Sequence, residues 1–421
     1  MSRSRRLPEH LVVGLQRWAL LAVSLALSAC GGAVSELGNR SGSVTQGATT
    51  TTGFFRDSNV SGLNYQSEEI TGVTEKTGEG IVQGSFTYVD GNQITFAVGG
   101  VTLGTARAAR FMTPISLITN GTILSDSVVN MTRFLMMLDE DNDPSNGIAI
   151  SEGVQTIAAN WAQVDFGSIT FAADLAGIIS DVASTDGRAP VLPNAATAQT
   201  HLNNTMLCSY TGAFYGTYVN SSNTTIGRIA FIIDPHTGMV SGYLYRLSDG
   251  SVFPLTGTTP LAFTADINSG VEMVATTPAT DEVTLSFSTF SDIVGTWTTQ
   301  AQGGQSGTVT ATRIDTSQTA TYRYVGLHRG SEFGVLSFGL YGDGVDNING
   351  EIYTMSTDNS LSITGSLQNT TDTRLIDAST ADAKTVAGTL TLSTGVMSGQ
   401  WSSAIDAAQT GTFSGTGCRL N

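Results

Sequence analysis

The chain has 421 residues, 40% of them apolar, enough for two or three domains each with its own core. Its 35 acidic and 19 basic side chains give a formal charge of −16, which excludes nucleic acid as a partner because phosphate binding needs a basic surface. Only 13% of residues are charged, Gly reaches 48 copies, and lysine occurs only at Lys76 and Lys384. That balance fits a β-rich extracytoplasmic protein better than a helical cytosolic one.

The first 29 residues read as a leader. Arg3, Arg5, Arg6 and Arg17 make it basic, and the apolar run Trp18 to Ala29 is too short for a permanent membrane helix. It closes on Leu27-Ser28-Ala29-Cys30, which resembles the processing box of bacterial lipoproteins. That resemblance implies cleavage before Cys30, a covalent lipid on its thiol, and a membrane partner reached through the anchor. Gly31 and Gly32 lack the Asp that resembles an inner-membrane retention signal, so the expected location is the outer membrane, facing the periplasm or the cell surface. Cleavage would remove four Arg and Glu9, leaving 15 basic and 34 acidic side chains and a charge of −19.

Residues 30–53 carry almost no large apolar group and predict a flexible tether, with order beginning near Phe54. Residues 54–110 alternate in short runs, Val60 to Tyr65, Gly84 to Tyr88 and Ile94 to Val98, with a turn at Asp90-Gly91-Asn92. With Gly72-Val73-Thr74 and the run Thr95 to Gly104, they resemble the opening of uncharacterised proteobacterial surface lipoproteins. In that family the region looks like a carboxypeptidase-regulatory or Cna-B type β-sandwich. The resemblance extends to about residue 205 and attaches no reaction.

Residues 111–207 predict a helical module. Ser125 or Asp126 caps a helix with Val128, Met131, Phe134, Leu135 and Leu138 on one face. A second helix starts at Ser151, and two more cover Ala172 to Ala183 and Asn194 to Leu207. Between the first two lies an acidic loop containing Asp139, Asp141, Asp143 and Asn146, with Glu152 beyond it. Alternating Asp oxygens can converge on a hard cation, so these five residues form a candidate calcium site. The spacing departs from an EF-hand by two extra residues and by Pro144 where Gly would begin the turn. The alternative is an acidic interhelical turn that satisfies backbone donors.

Residues 208–421 read as strand and turn, with an internal duplication. Gly242, Tyr245 and Gly257 recur as Gly350, Tyr353 and Gly365, and Gly295, Trp297 and Gly307 recur as Gly399, Trp401 and Gly411. Repeats at about 208–314 and 320–418 predict antiparallel meanders, as two small barrels or one larger sandwich. The matching places of Trp297 and Trp401 argue first for a shared core role. Cys208 and Cys418 bracket the region, which predicts a disulfide clasping its ends; buried free thiols are the alternative.

The fold class expected is therefore mainly β with a helical insert. No hydrolase elbow, zinc-protease helix or phosphate loop occurs, and His201, His236 and His328 stand apart in sequence. The functional expectation is a non-enzymatic lipoprotein for binding, adhesion or envelope structure, with a surface protein or glycan as candidate partner. A small-ligand or carbohydrate-binding barrel is the first alternative, and a hydrolase assembled only in space the second.

Overall fold

The computed structural model describes residues 43–44, 49–68, 70–76, 78, 82–259, 272–279, 281–299, 304–315, 317, 319–341 and 345–420. The leader and Cys30 lie outside them.

Among the described residues ten short strands build the N-terminal part. They are β1 (Ser43–Val44), β2 (Thr50–Phe55), β3 (Val60–Ser61), β4 (Asn64–Ser67), β5 (Ile70–Val73), β6 (Ser85–Val89), β7 (Gln93–Val98), β8 (Val101–Arg107), β9 (Phe111–Met112) and β10 (Ile148–Ala149). A five-stranded sheet, β1-β5-β4-β7-β8, faces a three-stranded sheet, β6-β2-β9. Aromatic rings fill the space between them: Phe96 of β7 lies 5.1 Å from Phe86 of β6 and 4.9 Å from Phe55 of β2. Such contacts add to the burial of the rings themselves. The turn Asp90-Gly91-Asn92 therefore carries the chain between sheets, because β6 pairs with β2 and β7 pairs with β4 and β8. The run expected at Val60 to Tyr65 is two strands, broken at Gly62, whose φ of +87° suits glycine and whose Cβ position lies 2.8 Å from the Ile150 carbonyl oxygen.

Two boundaries differ from the sequence reading. Order begins before Phe54, since Thr50 to Gly53 pair with β6 and Ser43–Val44 pair with β5. Thr-rich segments form strands once a sheet edge offers them partners, which composition does not reveal. The helical module is also not separate from the β domain. β9 pairs in parallel with β2 and β10 with β3, and the apolar stripe of α1 joins the core around Phe55 and Phe96.

Five helices follow the expected pattern with altered limits: α1 (Asp126–Leu138), α2 (Glu152–Ala158), α3 (Phe171–Asp174), α4 (Ala176–Asp186) and α5 (Ala195–Tyr210). The five predicted stripe residues of α1 are all fully buried. Ser151 caps α2 by accepting from the Val154 N–H, and Asn194 caps α5 by accepting from the Thr197 N–H. The helix expected at Ala172 to Ala183 is two, α3 and α4. α5 runs on to Tyr210, so Cys208 lies in its last turn and not at the head of a strand.

The duplicated region is two closed eight-stranded antiparallel barrels. The first comprises β11 (Gly212–Asn220), β12 (Thr225–Ile233), β13 (Met239–Arg246), β14 (Val252–Thr258), β15 (Glu272–Thr276), β16 (Asp281–Phe287), β17 (Asp292–Thr299) and β18 (Ser306–Arg313). The second comprises β19 (Tyr322–Gly330), β20 (Gly334–Tyr341), β21 (Asn347–Thr354), β22 (Asn359–Gln368), β23 (Thr373–Thr380), β24 (Lys384–Thr391), β25 (Val396–Ser403) and β26 (Thr410–Arg419). Each strand pairs with the next, and β18 with β11 or β26 with β19 closes the ring, leaving no free edge. The outer faces of β11 to β13 and β19 to β21 pack together, with Tyr215 stacked on Tyr353 at 4.1 Å.

The end of the first barrel nearest α5 is stopped. Phe290 meets Phe111 of β9 at 4.7 Å. The fully buried Arg313 donates to the carbonyls of Thr211, Tyr210 and Phe290, and its guanidinium lies 4.2 Å over the Phe290 ring. Burial, then the positive charge of Arg323, holds its pKa well below the ordinary value. Beside it, Cys208 is bonded to Cys418 of β26, and Arg56 and Asn59 both donate to the Leu420 carbonyl.

The Cys208–Cys418 bond joins α5 to the last strand across a separation of 210 residues. In the chain-entropy picture a loop of that size contributes about 5 kcal/mol as an upper bound. The denatured, unreduced protein should show no alkylatable thiol from this pair, and Cys208→Ser with Cys418→Ser should lower the melting temperature of the barrels. Two alkylatable cysteines without reductant would contradict the pairing.

Candidate binding site at the mouth of the first barrel

Both barrels also have an end away from α5. The two ends lie on the same side, since Arg228, near the start of β12, donates to the Met355 carbonyl at 2.5 Å and pairs with Asp358 at 3.5 Å, both in the loop after β21. Their strand registers coincide, so inward-facing residues can be matched directly. Trp297 is opposite Gly307, as Trp401 is opposite Gly411. Tyr218 is opposite Gly227, as His328 is opposite Gly334. In each pair a ring lies across a glycine of the neighbouring strand: a Cβ on Gly307 would fall 2.6 Å from the Trp297 indole nitrogen, and one on Gly334 would fall 2.8 Å from His328 Nε2. Of the glycines noticed as repeats, Gly307 and Gly411 are thus the seats of the two inward indoles. Trp297 and Trp401 are both buried, in agreement with a core role.

The second barrel's mouth is filled by charge. Lys384, 5% exposed, places its ammonium 2.6 Å from Glu332 and 3.3 Å from Asp382, and 5.6 Å over the Trp401 ring. Below it, His328 Nε2 lies 2.9 Å from the Tyr353 carbonyl oxygen, which requires that nitrogen to carry the proton. Burial of the ring lowers its pKa to about 4.

The first barrel keeps the same frame with different residues. The pairing Val283 to Trp297 matches Val386 to Trp401, so Asp281 stands where the second barrel has Lys384. By the same register Arg246 stands in the place of Thr354, and Thr225 in that of Glu332. With no lysine to fill it, the mouth is a cavity of about 490 Å³. Tyr218, Leu244, Phe253 and Trp297 form its apolar wall, and Arg246, Asp281 and Gln305 its polar rim. Trp297 is fixed by donating Nε1–H to the Val219 carbonyl at 2.7 Å. Burial, opposed by Arg246 and helped by Asp281 and Asp249, pushes the Tyr218 hydroxyl up to about 12, so it is neutral. Arg246 is committed to Asp249 at 3.3 Å and to the face of Phe253 at 4.7 Å. Asp281 accepts from the Thr277 hydroxyl at 3.0 Å, and among the described residues no salt bridge reaches it.

The sites expected from sequence lie elsewhere. In the acidic loop, Asp139 is buried and accepts from the Ala149 N–H at 3.0 Å; Asp141 accepts from Asn146 Nδ2 and the Asp143 N–H, both at 2.8 Å; Asp143 accepts from Ser145. Glu152 instead lines a small cleft with Lys76 and Gln155. Among the described residues no group of three or more His, Cys, Asp or Glu is arranged to hold a metal. His201 pairs with the fully buried Asp57 at 3.2 Å. Burial acts against its charged form, but Asp57 outweighs this and raises the pKa. His236 has its Nε2 3.0 Å from the Gly417 carbonyl oxygen. Sequence reasoning missed Tyr218, Arg246 and Asp281, because their counterparts in the second barrel are the different residues His328, Thr354 and Lys384, so identity between the repeats does not mark them.

No described protein family matches this chain, and no curated protein is detectably similar to it. A solved structure described as intact Ap-TbpB (N and C lobes) is similar over 50% of this chain and 76% of that one, at 8% identity and a TM-score of 0.14.

The buried His328 makes a pH prediction. Its folded pKa near 4 lies below the ordinary 6.5, so its contribution is full above pH 6.5 and is lost as pH falls through 6.5 toward 4, where only the unfolded chain takes up the proton. The shift corresponds to about 3 kcal/mol at most. Melting curves from pH 7 to pH 4 should fall less steeply for His328→Gln than for the native protein; parallel pH profiles would show that the ring protonates in place.

Proposed function

We propose that this protein is a lipid-anchored outer-membrane binding protein that holds a small molecule in the mouth of its first barrel. The observation that carries the reading is the contrast between the two mouths: one repeat closes its mouth with Lys384 and Glu332, and the other leaves an aromatic-walled cavity. The volume, the apolar wall and the few placed polar groups suit a small ligand. The anchor rests on the Leu27 to Cys30 box, and the strong negative charge makes a cationic or neutral ligand more favourable than an anion.

Transplanting the plug tests the site. Thr225→Glu with Asp281→Lys should fill the first mouth as the second is filled. In the full-length protein in non-ionic detergent, saturation-transfer NMR should show transfer to 2-phenylethanol for the native chain and little or none for the plugged variant. Equal transfer in both would contradict the site. Separately, Cys30→Ala should abolish palmitate labelling and release the protein from the outer-membrane fraction; unchanged labelling and partition would contradict the anchor.

A specific observation keeps calcium in view for the acidic loop: Asp139 Oδ2 is buried, faces the carboxylate of Asp141 and receives no donor among the described residues. Burial raises the Asp139 pKa to about 7, so near neutral pH the loop shares its charge between a proton and any cation supplied. Millimolar calcium should raise the melting temperature of the N-terminal part, and Asp141→Ala should remove most of that response. A flat calorimetric titration with identical melting curves in calcium and chelator would leave the loop an acidic turn.

A further inference from the structure

The second barrel contains its own occupant. The Lys384 ammonium arrives from the wall, lies 5.6 Å over the Trp401 ring and is held by the carboxylates of Glu332 and Asp382. A cation over an indole face is attracted by the ring's quadrupole, and the attraction grows when water is excluded. In the first barrel the indole is kept as Trp297 and the tethered ammonium is gone. Its place in the strand is taken by a carboxylate, Asp281. That reverses the charge the mouth offers to a visitor. Arg246 does not cancel it, being engaged by Asp249 at 3.3 Å, and Asp281 has only the Thr277 hydroxyl as side-chain partner among the described residues.

We infer that the mouth of the first barrel selects a small amphipathic amine: an aromatic or aliphatic body against Leu244, Phe253 and Trp297, and a protonated or quaternary nitrogen facing Asp281. This rests on the reading of the mouth as a binding site and names the chemistry of its ligand. An anionic ligand would set its charge against Asp281 and Asp249. A neutral one would fill the apolar wall and leave Asp281 uncompensated. A cation answers both the aromatic wall and the carboxylate, as Lys384 does in the sister barrel.

Three probes of one shape separate the terms: 2-phenylethylamine, 2-phenylethanol and phenylacetate, titrated calorimetrically into the full-length protein in non-ionic detergent against a detergent blank. The amine should bind about tenfold more tightly than the alcohol, and phenylacetate more weakly than either. Asp281→Asn, which keeps a hydrogen-bond partner for Thr277, should bring amine and alcohol to similar affinity while the alcohol is unchanged. Amine and alcohol binding equally to the native protein would overturn the cation preference while leaving the binding site standing. Binding of none of the three would overturn the inference together with the site it rests on. The native comparison needs no variant, so a misfolded Asp281→Asn leaves the test intact.

Discussion

Closing eight antiparallel strands removes every free edge but leaves two open ends, and the way those ends are stopped organises this molecule. At the α5 side the first barrel is stopped by the N-terminal part, with Phe111 and the Arg313 guanidinium packed on Phe290. At the other side the second barrel is stopped by Lys384 and Glu332, whereas among the described residues no such ion pair crosses the mouth of the first. The cavity is therefore a consequence of duplication without duplication of the plug.

The two stoppers differ in energetic character. Arg313 is fully buried, yet its donors meet three backbone carbonyls and its face meets rings, so desolvation is offset by charge-assisted hydrogen bonds. The Lys384–Glu332 pair is held at 2.6 Å in a site where either charge alone would be costly, so removing one partner is expected to cost more than replacing both. Both devices place cations against aromatic faces; in the first mouth Arg246 lies over Phe253, and among the described residues no cation lies over Trp297.

Much of the fold was legible. The inward stripe of α1, the helix starts at Ser151 and Asn194, the repeat and the Cys208 to Cys418 clasp all follow from local periodicity or spacing, whereas Ser125 stands at the N-cap of α1 without a side-chain capping bond. What was not legible depends on long-range pairing. The strands at Ser43–Val44 and Thr50–Phe55 form because distant edges meet them, and β9 and β10 tie the helical module into the sheets by parallel pairs that no local pattern announces. The site was hidden for a related reason. Asp281 and Lys384 look like unrelated turn-flanking charges until the register places them at one position of two matching frames. The residues singled out by sequence, Asp139, Asp141, Asp143, Asn146 and Glu152, draw attention by density of charge, whereas the mouth is marked by a single carboxylate, Asp281, that no salt bridge reaches among the described residues.

The difference between the two mouths is tested most directly by a crystal structure of the full-length protein soaked with 2-phenylethylamine. Ligand density is expected in the first barrel against Trp297 and Asp281, with Lys384 and Glu332 paired and no ligand in the second. A first mouth filled by the protein's own side chains, or ligand in the second barrel with the Lys384–Glu332 pair opened, would contradict it.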